Sequence, residues 1–378
     1  MASPKPKPIT ASKLAKLTYK LFSISKKERN YLYLLLILTF ICGVFYPYPN
    51  IAMWIAFGLA GYSAIANDSI QTIGTFISSN SHRKWYHLWL FMGLIFLATV
   101  TYSWVQYSGD VSYQRLNTPG LDIAPGTFTF LQVAAPIILL ILTRLKMPVS
   151  TSILLLSAFS TKASSIADIL QKSFIGYILA FVLAIVIWGL TARIFEKYVK
   201  KKPAKFWMPL QWVTSGTLWA VWIMQDAANI AVVLPRSLDV IQFISFALFI
   251  FLGLGLLFYL KGDKIQDLVN EKADITDVRA ATIVDLVYAC LLYYLKVVNT
   301  IPISTTWVFI GLLGGRELAI SYMKKNLDAR RKGILKSLRL IRKDALYAAI
   351  GLLISLILAL SINEDMRKQV IDMIMGWF

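Results

Sequence analysis

Apolar runs of about 20 residues, the length a helix needs to cross hydrocarbon, recur from near residue 31 to near residue 362 with only short polar interruptions. This is the pattern of an all-α polytopic membrane protein, and every other reading of the chain starts from it. Of the 378 residues 57% are hydrophobic, and eleven Trp and eighteen Tyr suit interfacial belts at the two membrane surfaces. Spans are expected at 31–47, 51–80, 85–106, 127–145, 148–171, 173–193, 207–234, 240–260, 280–298, 302–322 and 343–362. The runs at 148–171 and 302–322 are weaker and interrupted by polar residues. They are expected to enter the membrane as broken or re-entrant segments.

The formal net charge of +19 would suit nucleic acid, but the basic residues lie almost entirely in short connections between spans. The positive-inside bias explains them, so no nucleic-acid partner is expected. Segments 5–29, 82–84, Arg144 with Lys146, 193–205, 261–279 and 316–343 are read as cytoplasmic, whereas 46–50, 107–126 and 234–239 are short or nearly neutral and are read as outside. The amino terminus is then cytoplasmic, and the plasma (inner) membrane is the expected location. No cleavable signal peptide is expected, because the first 29 residues are basic and no small-residue cleavage site follows the first apolar run. Cys42 and Cys290 lie in apolar runs, which argues against both a disulfide framework and a metal site.

Polar residues within the spans reveal an internal repeat. Asn67-Asp68-x-x-Gln71, in "AIANDSIQTIG", is answered by Gln225-Asp226-x-x-Asn229, in "WIMQDAANIAVV": the same carboxylate between amides, with Asn and Gln exchanged. Roughly 80 residues after each carboxylate comes a second matching pair, Pro148 to Ser152 in "PVSTS" and Pro302 to Thr306 in "PISTT". With the topology above, the two carboxylate-bearing spans run in opposite directions. The repeats are therefore inverted, as in many secondary transporters whose site lies near the midplane where the halves meet. The chain divides into a basic cytoplasmic segment (1–30), a first transmembrane repeat with an extra span (31–172), a second, inverted repeat (173–322), a basic cytoplasmic segment (323–342), and a final span with an amphipathic tail (343–378).

Residues three and four apart share a helix face, so Asn67, Asp68 and Gln71 project together, as do Gln225, Asp226 and Asn229. Such a face offers oxygens to a small hard cation and amide N–H groups to an anion. Gly58, Gly61 and Gly74 surround the first motif and permit close helix packing or a local unwinding, whereas only Gly216 precedes the second. Proline followed by small hydroxyl residues marks a helix start whose first N–H groups lack intrahelical partners. Two such starts facing each other would cradle one tetrahedral oxyanion without a buried arginine. Carboxylates beside an anion repel it unless cations lie between them, which is a physical reason for coupling. Asp68 and Asp226 are the expected cation ligands, with sodium or a proton as coupling ion and no other cofactor. Asn67, Gln71, Gln225 and Asn229 would share cation and anion contacts. Ser150, Thr151, Ser304 and Thr305 are expected to bind the oxyanion, while Ser152 and Thr306 stand equally as ligands or as interhelical glue.

The two Asp motifs and two Pro-x-Ser-Thr motifs in inverted halves resemble the PiT-type inorganic phosphate transporters. The family signature reads approximately Gly-Ala-Asn-Asp-Val-Ala-Asn-Ala-x-Gly in both halves, and this chain matches it at Asn67, Asp68 and Gly74 and at Asp226, Ala228 and Asn229. It departs at Gln71 and Gln225, where the family has Asn, and it lacks a glycine after the second motif. The resemblance covers about 51–170 and 207–322. It implies sodium- or proton-coupled symport of inorganic phosphate, with sulfate as the other cargo found among relatives. Beyond the transported anion, membrane lipid and a homodimeric partner subunit complete the expected contacts.

Blander readings stand beside these. Arg236 and Arg316 read first as interfacial anchors, His82 and His87 lie at a membrane edge, and the carboxyl-terminal stretch reads as an interfacial tail. The Lys- and Arg-rich run 324–343 is simplest as a cytoplasmic helix that sets orientation. An enzyme acting on a phosphorylated lipid headgroup would need paired acids with a metal, or a nucleophile with its base. No such cluster is present in the sequence, so enzymatic activity is not expected. A transport-dead homologue with a sensing or structural role is the remaining rival.

Overall fold

The computed structural model describes residues 11–145, 147, 149–199, 203–260, 277–298 and 301–375, with the side chains of 11–27, 67, 69–70, 192–199, 365 and 373–374 excluded. Pro148, Lys146, the side chain of Asn67 and the basic stretches 1–10 and 261–276 therefore lie outside the described residues.

Among the described residues every regular element is a helix. In chain order they are α1 (Ala11–Phe45), α2 (Pro49–Asn67), α3 (Ser69–Ser79), α4 (Trp85–Gln106) and α5 (Phe130–Arg144). Next comes α6, which opens as a π-helical turn (Ser152–Leu156) and closes at Ser157–Phe159. The rest are α7 (Ala163–Val199), α8 (Trp207–Ala231), α9 (Val240–Tyr259), α10 (Val278–Val298), α11 (Thr305–Tyr322), α12 (Leu327–Ile362) and α13 (Glu364–Met375). Seven of them (α1, α2, α4, α7, α9, α10 and α12) carry stretches long and apolar enough to cross a membrane. The polarity of the bundle is inverted relative to a water-soluble domain. Leu36, Phe40, Ile241 and Leu252 face outward, while Asp68, Asn80, Asp226, Asn229 and Asp285 are buried. An apolar exterior around a polar interior is stable in lipid and not in water.

Local sequence explains where helices begin. Thr129 and Asp239 each form a capping box, with Gln132 and Gln242 respectively returning the contact, so α5 and α9 start at positions set by the chain itself. The expected run 51–80 divides in two: α2 and α3 meet at Asp68, which is the last cap of one and the first of the other. The expected break near 172 lies elsewhere. α7 runs continuously from Ala163 to Val199, and the chain turns at Ser160 to Lys162, where Thr161 N–H donates to the Gly120 carbonyl (3.0 Å) and Asn363 Nδ2 to the Ser160 carbonyl (3.0 Å). Lys172 is thus carried within a helix. The basic run before the last span is likewise continuous with it, because nothing between Leu327 and Ile362 breaks helical hydrogen bonding even though the charge pattern changes.

Two features place the site. First, α8 is buried along nearly its whole length: Gln211, Thr214, Ser215, Gln225, Asp226 and Asn229 all point into protein. A helix enclosed by other helices needs no apolar exterior, which is why it falls outside the seven apolar candidates. Second, α7 and α11 pack with their backbones nearly touching. A Cβ at Gly311 or Gly315 would collide with the carbonyl oxygens of Tyr177 and Phe181. This four-residue glycine spacing brings α11, and the turn that starts it, hard against α7.

Candidate functional site

Ser150 and Ser304 each cap a helix start. Ser150 Oγ accepts from the Ile153 N–H at 3.1 Å, and Ser304 Oγ accepts from the Trp307 N–H at 3.2 Å. The spacing from serine to capped nitrogen is three residues in both, so the two caps match, although the first turn continues as a π-helix and the second as an α-helix. The second turn is further pinned: Ser304 N–H donates to Ser173 Oγ (2.8 Å), and Tyr288 donates its hydroxyl to the Thr305 carbonyl (2.9 Å).

Asp226 is where the halves meet. Its carboxylate accepts from Thr305 Oγ1 at 2.5 Å, from Asn229 Nδ2 at 2.7 Å and from Ser152 Oγ at 3.2 Å. One donor comes from its own helix, one from the first turn and one from the second. Ser152 shares its single O–H between Asp226 and the Ile303 carbonyl (3.0 Å), while accepting from Asn229 Nδ2 (3.0 Å). The first motif reaches across the same boundary. Gln71 Nε2 donates to Asp68 Oδ1 (3.3 Å) and to Thr306 Oγ1 (3.0 Å). Thr306, which meets Gln71, directly follows Thr305, which meets Asp226, so the two motifs come together at the start of α11.

The amides in this centre are oriented with their nitrogens engaged and their oxygens unengaged. Gln225 donates Nε2 to the Leu292 carbonyl at 3.1 Å, and Gln71 and Asn229 donate as described. The oxygens Gln71 Oε1, Gln225 Oε1 and Asn229 Oδ1 are buried with no hydrogen-bond partner, as is Thr151 Oγ1. A buried acceptor left unpaired costs about 1–3 kcal/mol, so orphan oxygens grouped around buried carboxylates call for an explanation. Carboxylate and unengaged amide oxygens are what a hard cation takes as ligands.

Of the residues singled out in the sequence, the structure joins Ser152, Asp226, Asn229 and Thr305 in one hydrogen-bonded group and Asp68, Gln71 and Thr306 in a second, the two meeting at the adjacent Thr305 and Thr306. Gln225 sits on the same helix with its orphan oxygen. Ser150 and Ser304 spend their oxygens on caps, and Thr151 stands beside them unengaged. Arg236 is occupied by protein: it donates to the carbonyls of Leu121, Val232, Leu234 and Ile123 at 2.8–3.1 Å. Burial pulls its guanidinium down to about 10, opposed by the nearby Asp110 and Asp122 carboxylates, so it stays charged at neutral pH. Arg316 is paired with Glu317 at 2.6 Å.

Several participants carry no signal in the repeat. Ser173, Tyr288 and Arg115 have no counterpart in the motif comparison, and Arg115, in the 107–129 connection, is only 2% exposed. Asp285 on α10 is another fully buried carboxylate. It accepts from Thr75 Oγ1 (2.7 Å) and Ser215 Oγ (2.5 Å), and a polar chain continues from Ser215 through Gln211 to Ser79 and Asn80. An acid inside a span is a functional signal by itself, but a search for paired motifs passes over it because it is unpaired.

No family model and no curated protein sequence matches the chain. Among solved structures it is similar to one described as "The sodium-dependent phosphate transporter", at 18% sequence identity, covering 82% of this chain and 99% of that one, with a TM-score of 0.49.

Proposed function

We propose that the chain is a cation-coupled secondary transporter of a tetrahedral inorganic oxyanion, phosphate first and sulfate second, with sodium or a proton as the coupling ion. The observation that carries this reading is the meeting of the two buried carboxylate motifs with hydroxyls of both turns, Asp226 through Ser152 and Thr305 and Gln71 through Thr306, with three amide oxygens of those motifs orphaned. Asp68, Asp226, Gln71, Gln225 and Asn229 would hold the cation, and Thr151, Ser152, Thr305 and Thr306 the oxyanion.

The hydrogen bonds supply a coupling device. Ser152 and Thr305 now direct their hydroxyl protons at Asp226. A cation on Asp226 satisfies that carboxylate and lets both hydroxyls turn towards an anion, so the anion site is completed only when the cation site is filled. Conversely, a bound oxyanion lowers the cost of burying the cation. The charge pattern of the connections supports an amino terminus in the cytoplasm and the 107–129 connection outside. Uptake of labelled phosphate and labelled sulfate into proteoliposomes, under imposed sodium or proton gradients, is the direct test. Intact protein that moves neither anion under either gradient would overturn the reading.

A further inference from the structure

The connection 107–129 is built as a strap. The Asp110 carboxylate accepts from Ser112 N–H, Ser112 Oγ and Gln114 N–H at 2.5–2.7 Å, and Tyr113 donates its hydroxyl to the Thr99 carbonyl. Tyr113 and Gln114 both adopt left-handed backbone conformations, with φ of 56° and 61°. Two consecutive non-glycine residues in that region are strained, and such strain persists only where surrounding contacts enforce it. The residue that this strained pair aims is Arg115.

Arg115 Nη1 donates to the Ile301 carbonyl at 3.2 Å. Ile301 immediately precedes Pro302, so the guanidinium sits at the back of the turn whose Ile303 carbonyl engages Ser152 and whose Thr305 engages Asp226. Arg115 and Asp226 lie within electrostatic range of each other, and so do Arg115 and Lys296. Lys296 stands at the last turn of α10 with its ammonium 5.2 Å from the centre of the Tyr113 ring. Two cations are thus gathered against their mutual repulsion, one by the strap and one by its aromatic ring, on one side of the candidate centre. Burial pulls the Arg115 guanidinium down to about 10, opposed by Asp226, which leaves it charged at neutral pH. Asp226 already has three neutral donors, so pairing with that carboxylate does not account for the second cation.

We infer that Arg115 and Lys296 form an anion-recruiting pair beneath the 107–129 connection, which captures a tetrahedral oxyanion and delivers it to the two hydroxyl turns. This rests on the transport reading above. Arg115 serves as the ligand, since its fork matches an oxyanion edge, and Lys296 raises the local anion concentration.

The test compares wild type with Arg115→Lys, Arg115→Gln and Lys296→Gln, measuring initial rates of labelled phosphate uptake into proteoliposomes at low and high ionic strength. Arg115→Gln is expected to raise KM on the order of tenfold with a smaller change in maximal rate, Lys296→Gln severalfold, and Arg115→Lys in between. The rise of wild-type KM with salt should flatten in both Gln variants. KM within twofold of wild type in both Gln variants, or a lower maximal rate at unchanged KM, would overturn the pair and leave Arg115 as a tether of the strap. If Arg115→Gln fails to fold, Lys296→Gln and Arg115→Lys decide by the same KM and salt criteria. If wild type moves no anion, the transport reading fails by itself, and equilibrium binding of inorganic phosphate to the purified protein judges the pair. Weaker binding in the Gln variants upholds it; equal binding, or none to wild type, overturns it.

Discussion

Asp68 and Asp226 have nearly the same neighbours in sequence and different backbones beneath them. At Asp68 the helix stops and restarts, and Gly58, Gly61 and Gly74 surround the break. At Asp226 the helix continues five residues further, to Ala231, with no glycine after the motif. The carboxylate in the continuous helix accepts from side-chain donors of three elements, whereas the one at the junction of α2 and α3 accepts from Gln71 of α3. A repeat can therefore conserve chemistry while changing how it is presented: one half reaches both hydroxyl turns through its carboxylate, and the other reaches the second turn through its amide. The two turns show the opposite balance, with matched serine caps and different partners beyond them.

Substitutions that remove one charge at a time test this comparison most severely. Asp226→Asn should lower coupled uptake a hundredfold or more, roughly 3 kcal/mol, while the protein remains folded, because the amide keeps the size of the side chain. Asp68→Asn should also abolish coupling, but with Ser152 and Thr305 still engaging Asp226 its thermal stability should be closer to wild type than that of Asp226→Asn. Equal effects on stability would mean that the break and the continuous helix load their carboxylates alike. Thr305→Val removes one donor from Asp226 and should reduce uptake by about tenfold, with the dependence on the cation gradient weakened. Thr306→Val, which meets Gln71 instead, should alter anion preference more than coupling. At the small end, Ser150→Ala and Ser304→Ala each remove a cap worth about 1 kcal/mol. The loss in melting temperature should be smaller for Ser304, whose turn is also pinned by Ser173 and Tyr288. A larger loss there would show that the pins depend on the cap.

The run 51–80 reads as one span, with glycines that suit close packing as well as unwinding, so the break at Asp68 came from the structure; both helix starts were legible because proline and serine are local instructions. The boundary near 172 was not. A lysine in an apolar run looks like a connection, yet α7 carries it because the chain has already turned at Ser160 to Lys162, held by Gly120 and Asn363 from distant parts of the sequence. Asp285 was visible as an intramembrane acid but had no partner motif to set it in context. Arg115 gave no sign at all, since a single arginine in a neutral connection is ordinary.

The sequence by itself determined that the chain is helical and membrane-embedded, that it has a repeat, and which carboxylates, amides and hydroxyls the repeat pairs. These follow from hydropathy, period and local capping, all of which act within a few turns of helix. Only the tertiary structure decided which oxygens are engaged and which are orphaned, that hydroxyls of both halves share Asp226, and that a strained connection carries Arg115 to the turn at Ile301. Those depend on groups up to 235 residues apart, as Gln71 and Thr306 are, and no local pattern encodes the orientation of an amide against a partner that distant.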